Sequence, residues 1–348
     1  MRRRIPTLLS AALTVPLFVT GCAISEGGPN SLVFVSYGQG AYQAGQRSAW
    51  LDPYEKKTGT TVTIDGPSSN AKLKAMVEAG KVTWDVVDTD ASAAAAVCGS
   101  LLEPVDMGPL AAGFPKGSLT DCGVPDAFFG MMLMYDTKAY GAHPPSTMAD
   151  FFDPRAFPGR RIIYGGDPSV GTIEAALLAD GVPRDKLYPL DVRRALSMYD
   201  RVRPELTITS TYGDQQQRMA GGQADMALIV SARAFSLLKA GATNWKVVPG
   251  IPVPVTWDVL VVPKGTPRAE EAKRLIRFAS EPAQAAAFAA AAGVGPANTA
   301  APSPNTPIGR ELDIWGDDKE NLRVLSDVRW WAANRTALVK AWSDWRTG

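Results

Sequence analysis

The sequence predicts an α/β protein built as two lobes. Three observations carry that expectation. Short β-prone runs alternate with helical stretches along most of the chain, the pattern of a sheet flanked by helices. Roughly 327 residues remain once a leader at 1–21 is set aside, enough for two separate cores. Apolar content of 46% and charged content of 20% are those of an ordinary globular chain.

The elements follow in order. Residues 32–35, Leu-Val-Phe-Val, read as a buried strand. Gly38-Gln39-Gly40 interrupts it, and a helix is expected over 41–57, stopped at Thr58-Gly59. Strands are expected at 61–64 and 84–87, with helices at 70–79, ended by Gly80, and at 90–97. The alternation resumes with strands at 161–164, 206–209 and 226–229 and helices at 172–179, 215–220 and 232–240. Two more strands are expected at 245–248 and 259–262, then helices at 268–279, 282–291 and, in pieces, 319–345. The Ala- and Pro-rich stretch 297–307 reads as a connection between lobes or over the surface, and no repeat of 20–50 residues is present.

The first residues carry an address. Arg2, Arg3 and Arg4 precede an apolar run that is too short to span a bilayer and is broken by Pro6 and Pro16. Val19-Thr20-Gly21-Cys22 closes it and resembles the lipobox of bacterial lipoproteins. That resemblance implies export, cleavage after residue 21, a lipid on Cys22 and a short tether at 22–30; the alternative is an ordinary export signal cut nearby. The formal charge of +1 falls to about −2 without the three leader arginines, which gives no electrostatic case for nucleic acid. Outside the cytoplasm the two remaining cysteines, Cys98 and Cys122, read as a disulfide rather than as free thiols.

Catalytic chemistry finds little support. The only histidine, His143, lies in a turn-like Gly-Ala-His-Pro-Pro, so metal clusters and serine or thiol triads lack their parts. No Gly-x-Ser-x-Gly is present, and 166–172 has a P-loop outline without its lysine. Residues 38–43 begin like a dinucleotide fingerprint but place Gln43 at the third glycine. That turn still suits a small ligand, or needs its glycines for geometry alone. The carboxylate pair Asp88/Asp90 reads as solvated or helix-capping.

A series of segments then resembles the spermidine/putrescine-binding protein family. They are Ser36-Tyr37-Gly38-Gln39-Gly40-Ala41-Tyr42-Gln43 with Pro53-Tyr54-Glu55-Lys56-Lys57-Thr58-Gly59, Lys72-Leu73 before Trp84-Asp85-Val86-Val87, and Gly99-Ser100-Leu101-Leu102-Glu103-Pro104-Val105-Asp106. Thr147-Met148-Ala149-Asp150-Phe151-Phe152-Asp153 with Phe157-Pro158-Gly159-Arg160-Arg161, Trp257-Asp258 through Pro263-Lys264-Gly265, and Gly295-Pro296-Ala297-Asn298 complete the series. The resemblance implies a type II periplasmic-binding-protein fold, with crossovers near 134–137 and 254–258. Lobe 1 would be 31–135 plus 257–299, and lobe 2 would be 136–256 plus 300–348. It implies a monomeric solute receptor, with no cofactor or metal, that hands its ligand to an ABC permease and its ATPase. An exported enzyme and a surface lipoprotein binding a protein partner are the competing classes.

The family holds amines with aromatic faces and carboxylates, which is sound chemistry for an ammonium group. Carried over, the ligand contacts are Tyr37, Gly38, Gln39, Asp167, Arg233, Trp257 and Asp258. The chain departs from the family pattern in three places. Only Asp167 is acidic in 167–172, Val230 stands where an aromatic is usual, and Val294 replaces another. These departures favour a ligand with a single amine, or one carrying both amine and carboxylate.

Overall fold

The computed structural model describes residues 30–38, 40–302 and 305–348. The leader 1–21, Cys22, the tether up to residue 29 and Gln39 lie outside them. The strands are β1 (Ser31–Val35), β2 (Thr61–Asp65), β3 (Val86–Asp90), β4 (Leu102–Glu103), β5 (Val124–Asp136), β6 (Arg161–Tyr164), β7 (Leu206–Thr209), β8 (Met226–Val230), β9 (Trp245–Val247), β10 (Val253–Pro263), β11 (Gly295–Pro296) and β12 (Arg323–Leu325). The helices are α1 (Ala41–Gln46), α2 (Asp52–Thr58), α3 (Asn70–Glu78), α4 (Ala91–Val97), α5 (Thr137–Tyr140), α6 (Thr172–Ala179), α7 (Val192–Asp200), α8 (Tyr212–Ala220), α9 (Ser231–Lys239), α10 (Ala269–Ala279), α11 (Pro282–Ala292), α12 (Pro307–Leu312) and α13 (Val328–Thr347).

Among the described residues the strands join in one 12-stranded sheet of order β2-β1-β3-β10-β5-β8-β6-β7, with β4 and β12 on β10, and β9 and β11 on β5. Two parallel sets stand at its ends, β1–β3 and β6–β8. The antiparallel strands β5 and β10 join them. The first half of β5 pairs with β10 and its second half, from Met131, with β8. Gly130 sits at the change of partner, where a Cβ would meet Val253 Cγ1 at 2.5 Å. Period-2 alternation sends the side chains of β5 to opposite faces. Phe128, Met132 and Met134 enter one core with the first lobe's residues, and Phe129, Met131 and Leu133 enter a second with α6, α7 and α13. The two-lobed α/β expectation holds.

Local departures have physical causes. The sequence reading assigns no strand to 124–136, yet β5 is the longest strand described; nearly all of it is buried, so no polar alternation marks it. Expected at 84–87, β3 begins two residues later. The Asp85 carboxylate accepts the Val33 N–H at 2.7 Å and pairs with Arg268 at 2.9 Å, while the Trp84 indole donates to Asp65 Oδ2 at 2.6 Å. The helix expected over 41–57 carries a π-helical turn at Arg47–Leu51 between α1 and α2. The last helix is a single element, α13, whose start is capped by Asp327 accepting from the Trp330 N–H at 2.9 Å. Cys98 and Cys122 are bonded, with Cα atoms 5.5 Å apart.

Candidate functional site

Strand order places the C-terminal ends of both parallel sets around one cleft, where ligands bind in open α/β sheets. The cleft measures about 380 Å³. Tyr37 follows β1, Tyr42 lies in α1, Asp90 ends β3, Tyr164 ends β6, Asp167 follows it, Tyr212 opens α8 and Arg233 lies in the first turn of α9. Asp258 of β10 and Arg335 of α13 add to its polar lining, as do Ser68, Asn70, Thr89 and Ser169, and Phe129 and Val230 are among its apolar residues.

Asp258 is the centre of the first-lobe wall. It is 7% exposed and accepts from Tyr37 Oη at 2.9 Å and from Tyr42 Oη at 3.4 Å. A carboxylate offers about four acceptor positions, so two remain for a ligand. Burial and then the charge of Asp90, its cross-strand partner, push the Asp258 carboxyl up to about 7; the two tyrosine hydroxyls and Arg233 act the other way. Tyr37 keeps 41% of its surface exposed, so its ring is open to a cation.

Beneath Asp258 lie two further acids. Register between β5 and β10 slips at Asp258/Val259, and Asp126 is the extra residue of that bulge. Burial and then Asp258 push its carboxyl up, backbone N–H groups offset this only in part, and neither oxygen has a hydrogen-bond partner of ordinary geometry. Asp88 is fully buried and accepts from Gln46, which is itself fixed by the Ser36 hydroxyl at 2.6 Å. Burial, then Asp126 and Asp258, push Asp88 up as well. The sequence reading of Asp88 as solvated or capping is corrected; Asp90 does cap α4, accepting from the Ala93 N–H at 2.9 Å.

The second-lobe wall has the opposite character. Tyr164 and Tyr212 stack at 3.9 Å, and the Arg233 guanidinium lies 5.2 Å from the Tyr212 ring centroid. Arg233 has no carboxylate partner among the described residues, and only its backbone carbonyl is bonded, by Gln216. Arg335, in contrast, is paired with two carboxylates. Its Nη1 reaches Asp90 at 3.1 Å, Ser92 at 2.8 Å and Ser169 at 3.3 Å, and its Nη2 contacts Asp167.

Of the expected contacts, Tyr37, Asp167, Arg233 and Asp258 meet in the cleft. Trp257 does not. It neighbours Asp258 on one strand, so its side chain points to the opposite face, where it is 2% exposed, packs on Phe128 and donates to the Ser118 carbonyl at 3.2 Å. Gly38 is not among the lining residues; at φ 113°, in the left-handed region, it serves the turn itself. Gln39 lies outside the described residues. The sequence reading missed Tyr42, Asp90, Tyr164, Tyr212 and Arg335. Tyr164 and Tyr212 stand at or just beyond the ends of foreseen strands, which is signal enough; Arg335 has no local signal.

A sheet of two parallel sets joined by two crossing strands, with a polar cleft at the seam, defines a two-lobed solute-binding protein. The chain matches the family described as bacterial extracellular solute-binding protein over residues 49–310, and it belongs to that family. It is 31% identical to the gamma-aminobutyric acid-binding protein of Pseudomonas aeruginosa, with 93% of each chain covered. The structure of the Atu4243-GABA receptor superposes with a TM-score of 0.82 at 34% identity, covering 91% of this chain and 97% of that one. The periplasmic binding protein AgtB from A. tumefaciens R10, in complex with agropinic acid, gives 0.78 at 34% identity, covering 92% and 99%. These relatives are solute receptors of transporters, not enzymes, and this chain is a receptor for small polar solutes. No helix among the described residues is long and apolar enough to cross a membrane.

Proposed function

We propose that this receptor captures a small zwitterion of the ω-amino-acid type and delivers it to an ABC permease and its ATPase. One observation carries the reading: a carboxylate with spare acceptor positions, Asp258, and a guanidinium without an acidic partner, Arg233, line the same cleft. The ammonium group would sit on Asp258 between the Tyr37 and Tyr42 hydroxyls, and the carboxylate on Arg233, which offers it a planar fork of donors. The relatives that bind gamma-aminobutyric acid and agropinic acid support it. A spermidine- or putrescine-like ligand is less well served, because Asp167 is already held by Arg335. In this reading residues 1–21 direct export and Cys22 carries a lipid that holds the monomeric receptor at the extracytoplasmic face of the cell membrane, so that Cys22→Ser releases it into the soluble fraction.

Isothermal titration with 4-aminobutanoate tests the pairing. Asp258→Asn and Arg233→Ala should each weaken binding at least thirtyfold, the cost of leaving a desolvated charge unpaired, about 2–5 kcal/mol. Loss confined to Asp258→Asn points to a simple amine, and loss in neither places the ligand elsewhere.

A further inference from the structure

Three carboxylates line the cleft, Asp90, Asp167 and Asp258. Taken alone they would make it a site for molecules with two or more ammonium groups. Arg335 changes that count. It is the one residue of α13 that lines the cleft, and its guanidinium bridges Asp90 and Ser92, at the β3–α4 junction, to Asp167 and Ser169, beyond β6. The cation therefore spans the two lobes and occupies the space in front of two of the three acids. Its side chain is 22% exposed, against 19% for Asp90 and 33% for Asp167, so the three groups lie at the cleft surface and not behind it. Guanidinium stays charged at every working pH, and its fork holds two acceptors at once.

We propose that Arg335 sets the class of ligand: by filling Asp90 and Asp167 it stands where a second ammonium group would bind, and so excludes α,ω-diamines in favour of ligands with one amine. This rests on the reading that the ligand's ammonium group is taken at Asp258. Asp258 makes no bond to Arg335 and keeps its two tyrosine donors, so one amine position survives. The same cleft without Arg335 would carry three acids against the single free guanidinium of Arg233. Asp167 is the better receiver of a diamine, since Asp90 also accepts from Ser92 and from the start of α4, whereas Asp167 otherwise accepts only the Ser169 N–H at 3.0 Å.

The test is titration of purified protein with 1,4-diaminobutane and with 4-aminobutanoate. Arg335→Gln should tighten the diamine at least tenfold relative to the wild-type protein and shift the ratio of the two affinities by a similar factor. A loosened structure would weaken both ligands and would not produce that shift. Adding Asp167→Asn to Arg335→Gln should remove at least threefold of the gain. If Arg335→Gln does not melt cooperatively, Arg335→Lys replaces it; a point charge cannot hold both acids, and a gain of about threefold is expected. No diamine gain in the folded variant, or a gain untouched by Asp167→Asn, overturns the proposal. Failure of the wild-type protein to bind 4-aminobutanoate counts against the zwitterion reading instead, and leaves the diamine comparison to be read on its own.

Discussion

Tyr37 and Asp258 stand 221 residues apart in sequence and are joined by a 2.9 Å hydrogen bond that fixes one oxygen of the carboxylate at the cleft wall. The bond ties the turn after β1 to the crossing strand β10, so the amine position is assembled only when the chain has returned to its first lobe. Tyr37→Phe keeps the ring and removes the donor. Hydrogen bonds to charged groups are worth about 1.5–3 kcal/mol. The expected result in titration calorimetry is a loss of about tenfold in affinity for an amine-bearing ligand. Equal affinity for both proteins would mean that the ring alone matters.

The disulfide between Cys98 and Cys122 closes a loop across 24 positions, from the end of α4 to the approach of β5. Cross-linking a loop of this length stabilises by about 3 kcal/mol in the chain-entropy model. Replacing both cysteines by serine should lower the melting temperature by roughly 5–10 °C, and peptides from the unreduced protein should be found linked by mass spectrometry. The cleft is built from other segments, so ligand affinity should change little.

Legibility in the sequence follows the physics of each residue. Alternating elements were readable because β1, β2, β6, β7 and β8 are short and set off by turns and helix starts. β5 was not, because a strand buried on both faces lacks the alternation of apolar and polar residues, and its run 128–134 looks like any apolar segment. Asp258 is legible through its family segment, and Trp257 of the same segment is not a cleft residue. Sequence neighbours on a strand face opposite ways, so one of the two had to leave the cleft. The cleft chemistry of Arg335 was hidden for a different reason. Its four side-chain partners lie between 166 and 245 residues away, and nothing near it in sequence records them.

Asp126 should weaken the empty receptor at neutral pH. Its carboxyl is pushed up by burial and by Asp258, as Asp88 is by burial and its acidic neighbours. A group whose folded pKa lies above its unfolded value stabilises most below the unfolded value, about 4, and the contribution fades as pH rises toward the folded one. The ligand-free protein should therefore melt higher near pH 5 than near pH 8. Asp126→Asn removes one of the crowded charges. It should raise the melting temperature near pH 8 by about 2 °C or more, and do less near pH 5. Scanning calorimetry at both pH values checks the sign; a variant less stable at the higher pH would show that Asp126 holds a structural contact instead.

The same crowding makes ligand capture pH-dependent. In the empty cleft Asp258 titrates near 7, raised by burial first and by Asp90 second. An ammonium group binds the ionised form and pulls the pKa down, so below pH 7 each binding event must release a proton. Affinity should fall by up to tenfold per pH unit on that side, about fifteenfold between pH 7 and pH 5.5. Above about pH 8 it should level off, because an alkylammonium keeps its proton until roughly pH 10. The other titratable groups around Asp258 are Tyr37, Tyr42, Asp88, Asp90 and Asp126, with Arg233 across the cleft. Both tyrosines are pushed up by burial first and stay protonated, and the arginine stays charged, so neither adds a step in this range. Titrations near pH 6 in buffers of different ionisation enthalpy should report close to one proton released per ligand. In Asp258→Asn that release should vanish along with most of the affinity. A wild-type affinity constant to within threefold between about pH 5.5 and 8 would mean that Asp258 is already ionised before the ligand arrives, with the burden of the buried protons resting on Asp88 and Asp126 alone.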